Sequence, residues 1–331
     1  LGSVVLFSAN DGTNGNELWR TDGTEAGTTL VKDIWPGSGG VSAPPAGMKD
    51  VAPGGNSSSP FGLTAFNGHV YFAAASEVDG NPIGNELWRS NGTEAGTVLV
   101  ADLTPGLGSS SPSPFVVANG FLIFTARNLA PLGPPAKDFK LRIGGGPRLY
   151  RTDGTAAGTV LIREFPYSIG SEMVAYNDEV FFSVNDGVVD SELWKTDGTE
   201  AGTVLVKDIY QSTVFAKGSS GSDPRYLTVA NGLVFFVATD SDNDRELWRS
   251  DGTEAGTQRV KDINPAGNAD IYSLHKLDNP EDIFHLFKKG VVFGANDGTN
   301  GSEPWFSDGS EAGTIMLGDF NVGGSGWADD R

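Results

Sequence analysis

Glu192 to Thr203 reads ELWKTDGTEAGT, and this stretch returns along the whole chain. The other copies are Glu17 to Thr28 (ELWRTDGTEAGT), Glu86 to Thr97 (ELWRSNGTEAGT), Arg148 to Thr159 (RLYRTDGTAAGT), Glu246 to Thr257 (ELWRSDGTEAGT) and Glu303 to Thr314 (EPWFSDGSEAGT). Successive copies start 69, 62, 44, 54 and 57 residues apart, a period suited to a propeller blade or a solenoid unit. Around each copy lie short β-rich runs, clearest in the fourth unit: Ser171 to Asn177, Glu179 to Asn185, Glu192 to Thr196 and Thr203 to Ile209. We label these strands a to d. The a-to-b junction is Asn-Gly at Asn67-Gly68, Asn119-Gly120 and Asn231-Gly232, the strongest short hairpin signal because both residues accept positive φ. The c-to-d junction carries Asp-Gly or Asn-Gly and then a second Gly, which suits a wider turn. No unit shows the 3.6-residue period of a helix. The reading is all-β: one six-bladed β-propeller of four-stranded antiparallel blades spanning residues 1–331.

Blade one starts directly at strand b, Val4 to Asn10, with no strand a before it. Closure of a ring would therefore need a late segment, and the candidate is Gly326 to Arg331 (GWADDR). An open stack of sheets would leave unpaired edges at both ends. Insertions interrupt the repeat at Trp35 to Pro60, Asn128 to Pro147 (with Lys137, Lys140 and Arg142) and Asn264 to Pro280. Such nonrepeating loops are either tolerated excursions or contact points for a partner.

The 331 residues are 38% apolar, with 46 Gly and 18 Pro, as expected of many tight turns. With 42 acidic and 23 basic residues the net charge is −19, which opposes a nucleic-acid backbone or an anionic lipid surface. No apolar run is long enough for a spanning helix, so no membrane insertion is expected. With no Cys, disulfides, zinc-thiolate sites and thiol nucleophiles are excluded together. The chain begins at Leu1 rather than Met, which points to a removed leader or to a piece of a longer polypeptide.

The ELWxxDGTxxGT signature resembles the repeat of that name in large bacterial surface and secreted proteins, across all six units. That resemblance implies an extracellular or cell-surface bacterial propeller, suited to adhesion or scaffolding, and no established reaction. Copy three departs at Arg148 and Tyr150, and copy six at Pro304, Phe306 and Ser310. A looser likeness to the Asp-box of sialidase-type propellers implies only a structural turn between the third and fourth strands.

Three sets of residues are candidates for chemistry. Asp22, Asn91, Asp153, Asp197, Asp251 and Asp308 sit in the Asp-Gly-Thr turn, where an Asx oxygen accepts a backbone N–H two residues on. An amide at Asn91 serves a turn as well as a carboxylate does. Trp19, Trp88, Trp194, Trp248 and Trp305, with Tyr150, alternate with Leu along strand c. They either fill the gap between diverging blades or, with Arg20, Arg89 and Arg249 as donors, present carbohydrate-binding platforms. The b-to-c loops hold Asp11, Asn14 and Glu17; Asp186 and Asp190; Asp240, Asp242, Asp244 and Glu246; and Asp297 and Asn300. Alternating carboxylate and amide oxygens around a Gly turn suit Ca²⁺, a hard cation with six to eight oxygen ligands. Asp240, Asp242 and Asp244 are the best of these candidates. His69, His275 and His285, the last placed in strand a of blade six, have no repeated carboxylate partner. No nucleophile elbow, phosphate loop or zinc-protease motif occurs, so no catalytic residue is assigned.

The function expected is a non-catalytic extracellular module that binds a protein or polysaccharide and is stabilised by calcium. The rivals are a carbohydrate-active hydrolase or lyase with a central-face carboxylate site, and a structural subunit of a fibre or surface layer.

Overall fold

The computed structural model describes residues 2–36, 56–78, 81–106, 108–127, 146–211, 221–277, 289–320 and 322. The chain is all-β and of the six-bladed class expected, with six antiparallel sheets that are four-stranded except for the first, which has three. It divides into two compact units, Leu1–Glu164 and Phe165–Arg331, each holding three sheets. In the first unit, blade one is β1 (Val5–Asn10), β2 (Asn16–Thr21) and β3 (Thr29–Lys32). Blade two is β4 (Phe61–Phe66), β5 (His69–Val78), β6 (Asn81–Ser90) and β7 (Val98–Ala101), and blade three is β8 (Phe115–Ala118), β9 (Phe121–Arg127), β10 (Pro147–Thr152) and β11 (Val160–Glu164). In the second unit, blade four is β12 (Ser168–Tyr176), β13 (Glu179–Asn185), β14 (Glu192–Thr196) and β15 (Val204–Lys207). Blade five is β16 (Arg225–Ala230), β17 (Leu233–Thr239), β18 (Arg245–Ser250) and β19 (Gln258–Arg259), and blade six is β20 (His275–Leu277), β21 (Gly290–Asn296), β22 (Ser302–Ser307) and β23 (Ile315–Met316). Among the described residues, no helix is long and apolar enough to cross a membrane.

In blade four, strands b and c keep their expected bounds, while strand d is shorter. Thr203 is drawn into the preceding turn and the Ile209 amide donates to Glu192, so neither end joins the ladder. The Asn-Gly hairpins have the primed-turn backbone expected of them: Asn67, Asn119 and Asn231 have φ of 46°, 49° and 49°, and the following Gly68, Gly120 and Gly232 have 72°, 74° and 71°. Blade four builds the same turn from Asn177 and Asp178, at 51° and 61°.

Blade six differs from its expected layout. Its strand a is β20, within the Asn264 to Pro280 insertion, where His275 pairs with Val292. A three-residue strand with no Asn-Gly junction leaves little periodic signal in the sequence. His285 lies outside the described residues, as do Gly326 to Arg331 and most of the two earlier insertions, including Lys137, Lys140 and Arg142.

Apolar cores lie between successive blades within each unit. Leu18 of blade one joins Phe72 and Trp88 of blade two, and Leu87 of blade two joins Phe124 and Tyr150 of blade three. Leu193 of blade four joins Phe236 and Trp248 of blade five, and Leu247 joins Phe293 and Trp305 of blade six. Strand c thus turns its Leu toward the following blade and its ring toward the preceding one, as the two-residue period of a strand requires.

Candidate functional site

The repeated polar residues resolve into two structural devices. The first is the turn. Asp22 Oδ1 accepts from Thr24 N at 3.0 Å and Thr24 Oγ1 at 2.7 Å, while Thr24 Oγ1 accepts from Gly27 N at 2.9 Å. Asn91 makes the same contacts through its amide oxygen, at 3.0 and 2.7 Å. Copy six keeps them despite its departures, with Ser310 N and Oγ at 2.9 and 2.6 Å from Asp308 Oδ1. The two glycines serve different ends. Gly23 has φ of 92°, whereas a Cβ on Gly27 would stand 1.9 Å from Asp22 Oδ1. The second Gly makes room for the carboxylate, a role that spacing alone does not reveal. These hydrogen bonds hold the carboxyls of Asp22, Asp153 and Asp251 below their ordinary range.

The second device is the glutamate that opens the repeat. Glu17, Glu86, Glu192, Glu246 and Glu303 are fully buried. Each of the first three clamps the next blade through a serine: Ser58 N and Oγ lie 2.8 and 2.6 Å from Glu17, Ser110 N and Oγ 2.9 and 2.6 Å from Glu86, and Ser222 N and Oγ 3.0 and 2.6 Å from Glu192. The same carboxylates accept backbone N–H from Ile34, Leu103 and Ile209 at the end of their own blade. Burial pushes Glu86, Glu192 and Glu246 up to about 7 against the pull of these donors, and pushes Glu17 upward as well. The sequence carried a signal for the serines, a Ser-x-Pro at Ser58, Ser110 and Ser222. The middle residue is left-handed in each, with φ of 47°, 45° and 46°.

The candidate sugar platforms are closed. Trp88, Trp194 and Trp248 are 7%, 4% and 7% exposed, and Trp19 is half-buried. The basic residues beside them bridge blades: Arg20 donates to the Gly92 carbonyl at 3.2 Å and Arg89 to the Gly154 carbonyl at 2.9 Å. Arg249 is half-buried between Phe235 and Gln258 on its neighbouring strands.

Of the candidate cation ligands, most serve their own loops. Asp11 accepts from Thr13 N, Asn14 N and Asn14 Nδ2; Asp297 accepts from Thr299 N, Asn300 N and Asn300 Nδ2. Asp186 accepts from Val188 N and Val189 N, and Asp190 is half-buried. Asp240 Oδ1 accepts from Asp242 N at 2.9 Å and Asp244 N at 3.2 Å, which leaves Asp242 exposed at the loop tip. Among the described residues, the acidic group that does converge is Asp244, Glu246 and Asp262, each offering one oxygen within 4.8 Å of the others. Asp262, on the segment after β19, was missed because it lies outside the b-to-c loop. These carboxylates are positioned to hold a metal ion.

A separate cavity of about 330 Å³ lies between blades four and five, lined by Gly170, Ser171, Glu172, Ser183, Asp223, Pro224, Arg225 and Tyr226. Glu172 accepts from Leu227 N at 3.0 Å, and Asp223 pairs with Arg225 at 2.8 Å. Tyr226 has φ of 58°, costly for a bulky side chain and a feature that tends to gather at functional places.

No family model and no curated protein matches the chain. Among solved structures it is similar to a prolyl endopeptidase (11% identity, 96% of this chain and 40% of that one, TM-score 0.49). It is also similar to puromycin hydrolase (13%, 95% and 43%, TM-score 0.46), and to an α-L-arabinofuranosidase from Lactobacillus brevis (14%, 78% and 92%, TM-score 0.32). The chain spans less than half the length of the prolyl endopeptidase and of the puromycin hydrolase.

Proposed function

We propose that this chain is a non-catalytic, extracellular bacterial scaffold that contacts a protein or polysaccharide through parts that do not repeat. One observation carries the reading: the glutamate that opens the repeat is buried, its Trp packs against neighbouring blades, and its turn Asp is engaged by its own turn. The repeat therefore builds a frame, and recognition falls to the positions where blades differ. Calcium belongs to this reading as a stabiliser, supported by the oxygen-only donors that meet in blade five.

A carbohydrate-active enzyme is the second reading, favoured by the cavity between blades four and five. There unlike residues, Glu172, Asp223, Arg225 and Tyr226, are gathered at one place, as an active site requires and a repeated binding site does not. Incubating the protein with a panel of bacterial polysaccharides and glycosides separates the two. The scaffold reading expects retention on at least one polysaccharide or protein surface with no product formed, weakened by changes in the nonrepeating loops. Turnover that is lost in Glu172→Gln or Asp223→Asn would overturn it in favour of the enzyme.

A further inference from the structure

Blade five departs from the repeat at Ala269 and Arg259, and both flank the acidic group of Asp244, Glu246 and Asp262. Where Ser58, Ser110 and Ser222 close the glutamate clamps of other blades, the segment leading into blade six has Ala269. The equivalence follows from backbone pairing: Ala269 accepts from Asn296 N at 2.7 Å, as Ser222 accepts from Thr239 N at 2.9 Å, and the next residues, Asp270 and Asp223, are both left-handed at 49° and 46°. Without a serine hydroxyl, Glu246 Oε2 is buried and has no hydrogen-bond partner, although Glu246 Oε1 accepts from Asn264 N at 3.1 Å. Two residues before the glutamate, where blades one, two and six have Gly15, Gly84 and Gly301 and blade four has Asp190, blade five has Asp244. Its Oδ1 is likewise buried without a partner. Opposite the strand-c ring, where the other blades place Leu30, Leu99, Leu161, Leu205 and Met316, blade five places Arg259.

Arg259 gathers the outer oxygens of the cluster. It lies 2.7 Å from Asp244 Oδ2, 3.6 Å from Asp240 Oδ2 and 3.6 Å from Asp262 Oδ2. One guanidinium faces several carboxylates and leaves the two buried oxygens unmet. A buried carboxylate oxygen without a donor is costly, and a cation removes that cost.

We infer that Asp244, Glu246 and Asp262 form a Ca²⁺ site that replaces the serine clamp between blades five and six. Oxygens sharing one Ca²⁺ at about 2.3 to 2.6 Å can stand up to about 5 Å apart. The three oxygens here, all within 4.8 Å of one another, meet that condition. The ion completes its shell with water and nearby backbone carbonyls.

The inference rests on the calcium part of the proposed function and leaves partner contact untouched. Failure of the test below removes this site alone, whereas the polysaccharide and protein panel decides the scaffold reading alone. The whole chain is stripped with chelator, dialysed, and titrated with Ca²⁺ by calorimetry and by thermal melting. The parent should bind with a melting midpoint that climbs with the logarithm of free Ca²⁺. Asp262→Asn and Glu246→Gln should each raise the Kd at least tenfold. Ala269→Ser restores the hydroxyl found in the other clamps, so it should raise the midpoint in chelator and shrink the calcium-induced rise. This variant decides the matter even if Glu246→Gln fails to fold. A parent that ignores Ca²⁺, or an Ala269→Ser protein that responds as the parent does, would overturn the site. An equal response to Mg²⁺ would overturn its assignment to calcium.

Discussion

Asp251 and Gly256 show how closely one residue in the repeat depends on another. The carboxylate that organises the turn accepts from Thr253 N and Thr253 Oγ1 at 2.9 and 2.7 Å, and it lies where a Cβ on Gly256 would be, 2.0 Å from Oδ1. Gly256→Ala should therefore destabilise by about 1 to 3 kcal/mol, the usual range for forcing extra volume into a packed site. The clash is with a short side chain fixed by its own hydrogen bonds, so it has little room to give. A denaturant midpoint unchanged from the parent would show that the turn can open without loss. Gly252 tests a different property, since its φ is 92°. Gly252→Val should destabilise through the backbone, because a β-branched residue resists the left-handed region.

At the scale of the element, the clamp makes each blade depend on its neighbour. Ser222 lies outside blade four, on the approach to β16, yet its hydroxyl is 2.6 Å from Glu192 Oε2. Ser222→Ala should cost about 1 to 3 kcal/mol, because it leaves a buried carboxylate oxygen short of a donor. The loss should fall together with the response to Glu192→Gln in a double-mutant cycle, since the two residues share one interaction. Additive losses would mean that the serine acts elsewhere. Strand c shows the same interdependence in apolar form: Leu193 packs with Trp248 of the following blade, and Leu247 with Trp305 of the next.

For the whole molecule, the buried glutamates set the response to pH. Glu86, Glu192 and Glu246 have carboxyls near 7 in the folded chain against an ordinary value of 4.5. A raised folded value means that the native state holds the proton more tightly, so the stability these groups contribute is full below about 4.5 and is lost as pH rises through about 7. The turn aspartates work in the opposite sense, because their lowered values give stability that is lost only as pH falls below their ordinary value of 3.8. In chelator, the melting midpoint should be higher near pH 5.5 than near pH 8.5, and Glu192→Gln should flatten the slope. A midpoint that stays level or rises across that interval would show that the clamps hold no extra proton in the folded state.

Much of this was legible in the residues alone. Six copies of one signature, Asn-Gly hairpins and an Asx-Gly-Thr turn are local patterns, and local backbone preference is enough to specify blades, strand order and turn geometry. The sequence by itself also pointed to an acidic cluster in the fifth blade as a candidate for a cation. Of the residues it named there, Asp244 and Glu246 join the converging acidic group, and Asp262 escaped it because neighbours were counted along one loop. Asp262 follows β19, Ala269 lies on the way to the next blade, and Arg259 comes from the adjacent strand. Their meeting with Glu246 depends on how β18 and β19 pair and how blade six follows blade five. Likewise Trp and Arg of the repeat had the chemistry of a sugar platform, and only packing decided against it, by placing the rings between sheets and the guanidiniums of Arg20 and Arg89 on the next blade's turn. Turns are settled by residues a few positions apart, whereas burial and ligand sets are settled by which surfaces the folded sheets press together.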